Sequence, residues 1–112
     1  DKMANTFTRK VSRGIGTALT AVGSYVVGAS TQTTVIGLTV ANTSAATVNI
    51  DVTVNDGAND TYVVKDAPVP VGGALVPVGG NQKIVLITGD SIKVNSSAAA
   101  SVDAVLSILE IT

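Results

Sequence analysis

The sequence predicts an all-β fold: an antiparallel β-sandwich, jelly-roll-like or immunoglobulin-like, of about eight strands. Three observations predict it. Nineteen valines, eight isoleucines and fourteen threonines stand against six leucines. Side chains branched at Cβ lose rotamer freedom in helices and fit the pleated surface of sheets. Several segments alternate apolar and polar residues with a period of two. Turn-forming residues separate these segments at close, regular spacing, as in sandwiches and barrels.

Taken in order, Asp1-Lys2 ahead of Met3-Ala4 reads as an expression-tag remnant, with Met3 as the natural start. Residues 3–14 form an N-terminal arm or first strand, and residues 15–112 form one sandwich domain. Within the arm, Phe7, Arg9, Val11 and Arg13 alternate against Thr8, Lys10 and Ser12. Leu19 to Val27 reads as a second strand bulged at Gly23, while Gly14 and Gly16 argue against a helix over 12–22. In TTVIGLTVA, Ile36, Leu38 and Val40 share one face, with Gly37 and Thr39 on the other. In ATVNIDVTVNDG, Val48, Ile50, Val52 and Val54 point inward and Thr47, Asn49, Asp51 and Thr53 outward. Asn42-Thr43-Ser44 turns between these strands, Asn55 to Asp60 makes the next turn, and Thr61 to Lys65 returns. Lys83 to Ile87, a near-continuous apolar run, predicts a central strand. Thr88-Gly89-Asp90 turns it into Ser91 to Val94. In the last run, Ser101 to Ile111, Val102, Ala104, Leu106 and Ile108 share a face.

One stretch interrupts the alternation. Val69-Pro70-Val71-Gly72-Gly73 returns as Val76-Pro77-Val78-Gly79-Gly80. Periodic strands of similar composition lie on both sides, so a linker between two domains is not indicated. Proline cannot donate to a ladder, which confines Pro68, Pro70 and Pro77 to edges and strand starts. The paired glycines suit turns. The repeat therefore predicts a folded corner with a proline-guarded edge around a short strand at Ala74-Leu75-Val76.

Composition also limits function. Histidine and cysteine are absent, which removes the commonest general base and rules out disulfides and thiolate metal sites. Without histidine no Ser–His–acid triad can form, and a Ser91–Lys93 pair on one strand face reads as a surface pair. Asp103 and Glu110 fall on opposite faces of the last strand. Gly14-Ile15-Gly16 lacks the lysine and helix of a phosphate loop. Phe7, Tyr25 and Tyr62 are too scattered to form a base-stacking platform. The loop from Asn55 to Asp60, with Asp56 and Asp60, gathers oxygens as calcium requires. It lacks EF-hand spacing, so it reads first as a hairpin turn. No cofactor is indicated. No stretch approaches the length of a membrane-spanning helix, and no secretory leader is read.

Only 13% of residues are charged, about half the usual share. That scarcity predicts either a surface coated with threonine, serine and asparagine or a surface covered by neighbours. Residues 3–50 carry Arg9, Lys10 and Arg13 and no acid, whereas seven carboxylates lie from Asp51 onward. Three cations are few for nucleic acid but suit an acidic protein neighbour.

The run GGNQKIVLITGDSIKVNSSAAASVDAVLSILEI, with the upstream pieces MANTFTRKVSRGIGT and TTVIGLTVANTSAATVNIDVTV, resembles small virion structural proteins of tailed phages, particularly those of marine bacteria and cyanobacteria. The resemblance implies a compact sandwich present in many copies in the virion, contacting other virion proteins. Combined with the absence of catalytic chemistry, it leads to the expectation of a non-enzymatic structural protein. Capsid decoration or cement would be its role, with docking and self-association into a homo-oligomer as its mode of action. Phe7, Arg9, Lys10, Arg13, Pro70 and Pro77 are the candidate contact residues. The alternative is a receptor- or carbohydrate-binding module of a tail or fibre, using the loop from Asn55 to Asp60.

Overall fold

A computed structural model of the chain describes residues 4–112; the suggested tag remnant, Asp1-Lys2, lies outside them. The β-branched composition is realised as nine strands: β1 (Asn5–Ile15), β2 (Thr20–Ala21), β3 (Gln32–Asn42), β4 (Val48–Asn55), β5 (Asp60–Val69), β6 (Ala74–Val78), β7 (Ile84–Leu86), β8 (Ser91–Ser96) and β9 (Val102–Ile111). Among the described residues the only helical element is a single 3-10 turn at Val22–Ser24.

Two antiparallel sheets pack together. The first has the order β1-β9-β3-β6, with β7 also pairing with β3. The second has the order β2-β8-β4-β5. These pairings are nested: β4 pairs with β5, β3 with β6, β2 with β8 and β1 with β9. The chain is thus one long antiparallel ribbon with its tip between β4 and β5, rolled so that successive pairs alternate between sheets. That is the jelly-roll connection, and it decides between the two connections the sequence left open.

The core lies between the sheets and is almost wholly aliphatic. On β9, Val102, Ala104, Leu106 and Ile108 are at most 1% exposed, as the alternation predicts. Ile50 and Val52 of β4 and Ile92 and Val94 of β8 meet them from the other layer. Each such side chain, fully buried, contributes roughly 1.5–3 kcal/mol. The buried polar side chains that accompany them are satisfied. No buried side-chain nitrogen or oxygen lacks a partner among the described residues. Asn42, for example, donates through Nδ2 to the carbonyls of Ala46 (2.8 Å) and Val69 (3.0 Å) and accepts from the Ser44 amide at 2.8 Å. It fastens the end of β3 to the end of β5.

Several elements differ from the sequence expectation, each for a local reason. On β3 the inward set is Val35, Leu38 and Val40, because Ile36 is the extra residue of a bulge between Val35 and Gly37 and shifts the parity. On β4, Thr53 is buried rather than exposed. Its hydroxyl donates to Asp60 Oδ1 at 3.0 Å, and Tyr62 and Lys93 flank it across the strands. Val54 is only half-buried. The second strand shrinks to Thr20–Ala21 because Gly23 (φ +61) and Ser24 (φ +56) turn the backbone out of extension. Gly23 is required there, since a Cβ would sit 2.7 Å from that of Lys10. β7 is not central: it pairs with β3 alone, beyond the end of β6, and leaves Val85 61% exposed. Ser91, expected at the surface, is buried.

The proline–glycine repeat is folded. The Pro70 carbonyl accepts from the Gly73 amide at 3.0 Å, closing the turn that carries the chain from β5 in one sheet to β6 in the other. Ala74-Leu75-Val76 begins β6, an edge strand that contains Pro77.

Leu106 and Val105 are adjacent in sequence and lie on opposite faces of β9. Leu106→Ala should lower the unfolding free energy by about 2–5 kcal/mol. Val105→Ala should stay within about 0.5 kcal/mol. Urea titration of the two variants checks the assignment, and comparable losses would contradict it.

Candidate functional site: the outer face of the first sheet

The alternation that fills the core also fixes what faces away from it. On β1, Phe7, Arg9, Val11 and Arg13 point outward. Opposite the first three on β9 stand Leu109, Ser107 and Val105, and the register shifts between Ser12 and Ile15. β3 continues the rows with Thr34, Gly37 and Thr39. Val85 of β7 pairs with Thr34, and Val76 of β6 lies beyond Thr39. The result is two apolar rows with a low strip between them. One row runs from Phe7 through Leu109 and Thr34 to Val85, and the other from Val11 through Val105 and Thr39 to Val76. The strip is formed by Arg9, Ser107 and Gly37. Phe7 is 74% exposed, Val85 61%, Val76 60%, Val105 43% and Val11 41%.

The outer face of the second sheet is chemically different. It presents Asn49, Asp51, Asn55, Tyr62, Lys93 and Asn95. Even its aromatic residue is capped by charge, with Lys65 Nζ 5.1 Å from the Tyr62 ring centre. Scattered apolar side chains are ordinary on a protein surface, whereas a contiguous patch marks an interaction site. On its outer face the first sheet carries the exposed Phe7, Val11, Val76, Val85 and Val105, whereas the second carries mainly polar side chains.

Of the residues singled out from the sequence, Phe7, Arg9 and Arg13 come together on this face. Lys10 does not: it points to the inner side of β1, with Nζ 5.3 Å from the Tyr25 ring centre. The Thr33 hydroxyl lies 2.7 Å from the Tyr25 hydroxyl, which donates to Glu110 Oε2 at 2.8 Å. Burial pushes the Tyr25 phenol above its usual pKa; the bond from Thr33 opposes that, and the Glu110 carboxylate adds to it. This cluster fastens the 3-10 turn region to both β3 and β9. Pro77 borders the apolar face on β6, and Pro70 lies in the preceding turn between the two sheets. Asp103 is the acid on this face, and its Oδ1 accepts the Gly14 amide at 2.9 Å. Val76, Val85, Val105 and Leu109 were not singled out. Outward parity on a strand was the signal that distinguished them from core residues.

The loop from Asn55 to Asp60 holds its oxygens close. Asn55 Oδ1 accepts the Gly57 amide at 2.8 Å. Asp56 Oδ1 accepts the amides of Ala58 (3.0 Å) and Asn59 (2.7 Å). Asp60 Oδ1 accepts from Thr53 Oγ1 and Asn55 Nδ2. These are the bonds of a self-contained hairpin turn, and no cluster of three or more potential metal ligands occurs among the described residues. Two shallow depressions lie among the described residues. One, about 530 Å³, lies at the end of the first sheet between Gln32, Ile87 and Ile111 and is lined by no ionisable side chain. The other, about 520 Å³, lies beside β2 and has Lys93 as its one ionisable residue.

The Asn59 and Ala58 amides hold the Asp56 carboxyl below its ordinary pKa of 3.8, and bonds from Asn55 and Thr53 do the same for Asp60. Both pKa values are lower in the folded state than in the unfolded chain. Their stabilisation is therefore present above about pH 4 and lost as pH falls through the folded values. Carboxyl-carbon NMR titration should find both groups still ionised where an ordinary aspartate is half-protonated; normal midpoints would contradict the loop geometry. Millimolar calcium should leave the melting temperature unchanged, and a rise abolished by Asp56→Ala would reverse that reading of the loop. No protein-family model matches the chain and no curated protein matches it, so the reading of the apolar face rests on its own chemistry.

Proposed function

We propose that the protein is a non-enzymatic structural component of a tailed-phage virion, a capsid decoration or cement protein. It works by docking the outer face of its first sheet onto neighbouring virion proteins. The observation that carries this reading is the contrast between the two sheets: Phe7, Val11, Val76, Val85 and Val105 are exposed on one outer face, and the other is polar. Apolar area removed from water contributes roughly 25 cal/mol per Å², before the cost of association. A face of this kind therefore gains from being covered. Arg9 and Arg13 lie on the same face and suit an acidic rim on the neighbour. The absence of histidine and cysteine, and the resemblance of the sequence to small virion proteins, support the same reading. A jelly roll alone would not, since a fold does not fix a function. The loop from Asn55 to Asp60 directs its oxygens to its own backbone and side chains, and no observation favours a receptor- or carbohydrate-binding role.

Immunogold labelling of the encoding phage's particles, with antibody raised against the chain, tests the proposal. Regular labelling of intact particles is expected. Particles assembled with Val105→Asp in place of the native chain should lose the label although the variant remains folded. Unlabelled native particles, or undiminished labelling with Val105→Asp, would count against it.

A further inference from the structure

The rims of the two sheets are not alike. β5 carries Lys65, Pro68 and Asp66 at φ +53, β6 contains Pro77, β7 has three residues and β2 has two. Prolines, charges, irregular backbone and short length keep a sheet edge from pairing with another chain. β1 differs. It is an outer strand of eleven residues without proline, in unbroken register with β9 from Asn5 to Ser12. One bond sets the direction of its backbone groups. The Ala4 carbonyl accepts from the Thr112 amide at 3.0 Å, so the even-numbered residues of β1 turn their N–H and C=O groups toward β9. Those of Asn5, Phe7 and Arg9 turn toward the rim, where no partner meets them among the described residues. From Lys10 onward the rim is closed. The inward Lys10 and the Val11 amide lie against Gly23 of the 3-10 turn, whose own amide donates to Ser12 Oγ at 2.8 Å.

We infer that this open rim, residues 5–9, pairs antiparallel with the same rim of a second copy of the chain. The two-fold axis passes beside Phe7, perpendicular to the sheet, and sets the two β1 strands side by side. Phe7 then stands opposite Phe7 of the copy, Asn5 opposite Arg9, and Thr6 opposite Thr8. The three outward amides of each chain meet the three outward carbonyls of the other. Aromatic pairs and Thr–Thr pairs are favourable across strands, and Asn5 sets no charge against Arg9. The two Arg9 side chains lie about 14 Å apart, beyond the screening length of about 8 Å at physiological salt. Pairing about Arg9 instead would oppose the two guanidinium groups and drive the second strand into the Gly23 turn. A foreign acidic strand is the less suited occupant, because Arg9 is the one cation on the open stretch. The copy also covers Phe7, the most exposed large apolar side chain, with its own Phe7.

The pairing joins the two first sheets into one continuous sheet whose outer faces lie on the same side. It doubles the apolar face without covering it, so it does not rest on the docking reading. Because the other rims are guarded, assembly stops at two copies. A contact of five residues a side is smaller than that of a stable interface, which makes the dimer a weak one that depends on concentration.

Sedimentation equilibrium of the full chain from micromolar to millimolar concentration should show a reversible monomer–dimer equilibrium. Amide exchange followed by NMR should find Thr6 and Thr8 protected at every concentration, and Phe7 and Arg9 protected only where the dimer is populated. Phe7→Pro removes an amide that points at the rim and leaves the ladder to β9 whole. It should weaken association on the order of tenfold or more with an unchanged melting temperature, whereas Thr8→Pro should lower the melting temperature. The native chain has no cysteine, so single cysteines report the register. Phe7→Cys chains should oxidise to a disulfide dimer, since opposed residues of a hydrogen-bonded pair have Cα atoms about 5.5 Å apart. Val11→Cys, about 27 Å from its copy, should not. A monomer at every concentration overturns the inference. So does a dimer indifferent to Phe7→Pro, a Phe7 amide protected in dilute chain, or Val11→Cys chains joined as readily as Phe7→Cys chains. Monomeric chain that labels particles, and loses labelling with Val105→Asp, overturns the pairing and leaves the docking reading standing. A dimer whose particles carry no label does the reverse.

Discussion

Strand β9 carries the physical constraint on which the rest depends. It lies between β1 and β3 in the middle of the first sheet, and its side chains alternate without a break from Val102 to Ile108. The even-numbered residues among them close the core against β4 and β8, and the odd-numbered ones form the middle of the exposed face. A one-residue slip of its register would exchange the two sets, burying Asp103 and exposing Leu106. Core and surface are thus two sides of a single pairing decision. The ladders to β1 and β3, fixed from both sides, hold that decision.

The ribbon topology explains why that pairing is stable. Each strand pair of the roll is closed by the pair outside it, ending with β1 and β9. The crossings between the two sheets are tied by polar contacts. Asn42 joins the β3 end to β5, and Tyr25 joins the 3-10 turn region to Thr33 and Glu110. β1 itself adds little to the core, where Ile15 is its one buried residue. It is held mainly by its ladder to β9 and by Gly23 lying against Lys10. Its outward side chains are consequently free to serve as contact surface.

The period-two strands were legible in the sequence. β4 and β9 could be read nearly residue by residue because no bulge falls within the apolar part of either run. The corner at Pro70 to Gly73 and the turn at Asn55 to Asp60 could be read because proline, glycine and aspartate restrict the backbone locally. What escaped depends on non-local pairing. The bulge at Ile36 changes the parity of β3 only in relation to β9, and the edge position of β7 is set by where β6 ends. At the candidate site, Phe7, Arg9 and Arg13 could be read from parity within β1, which also sets Lys10 apart from them. Val76, Val85 and Val105 could not, because an apolar residue in a strand first suggests the core. Only the sheet order shows which side is covered.

The central claim is that one outer face, and not the other, is built to be covered. Methyl NMR with a soluble paramagnetic agent measures this directly, with the valines as probes on both sides of the first sheet. In dilute chain the methyl groups of Val11, Val76, Val85 and Val105 should be strongly relaxed, while those of Val40, Val52 and Val94 should be untouched. On assembly the first group should become protected together, with Lys93 and Tyr62 on the other sheet still accessible. Protection that appears instead on the second sheet, or outward valines that stay exposed in the assembled state, would contradict the account.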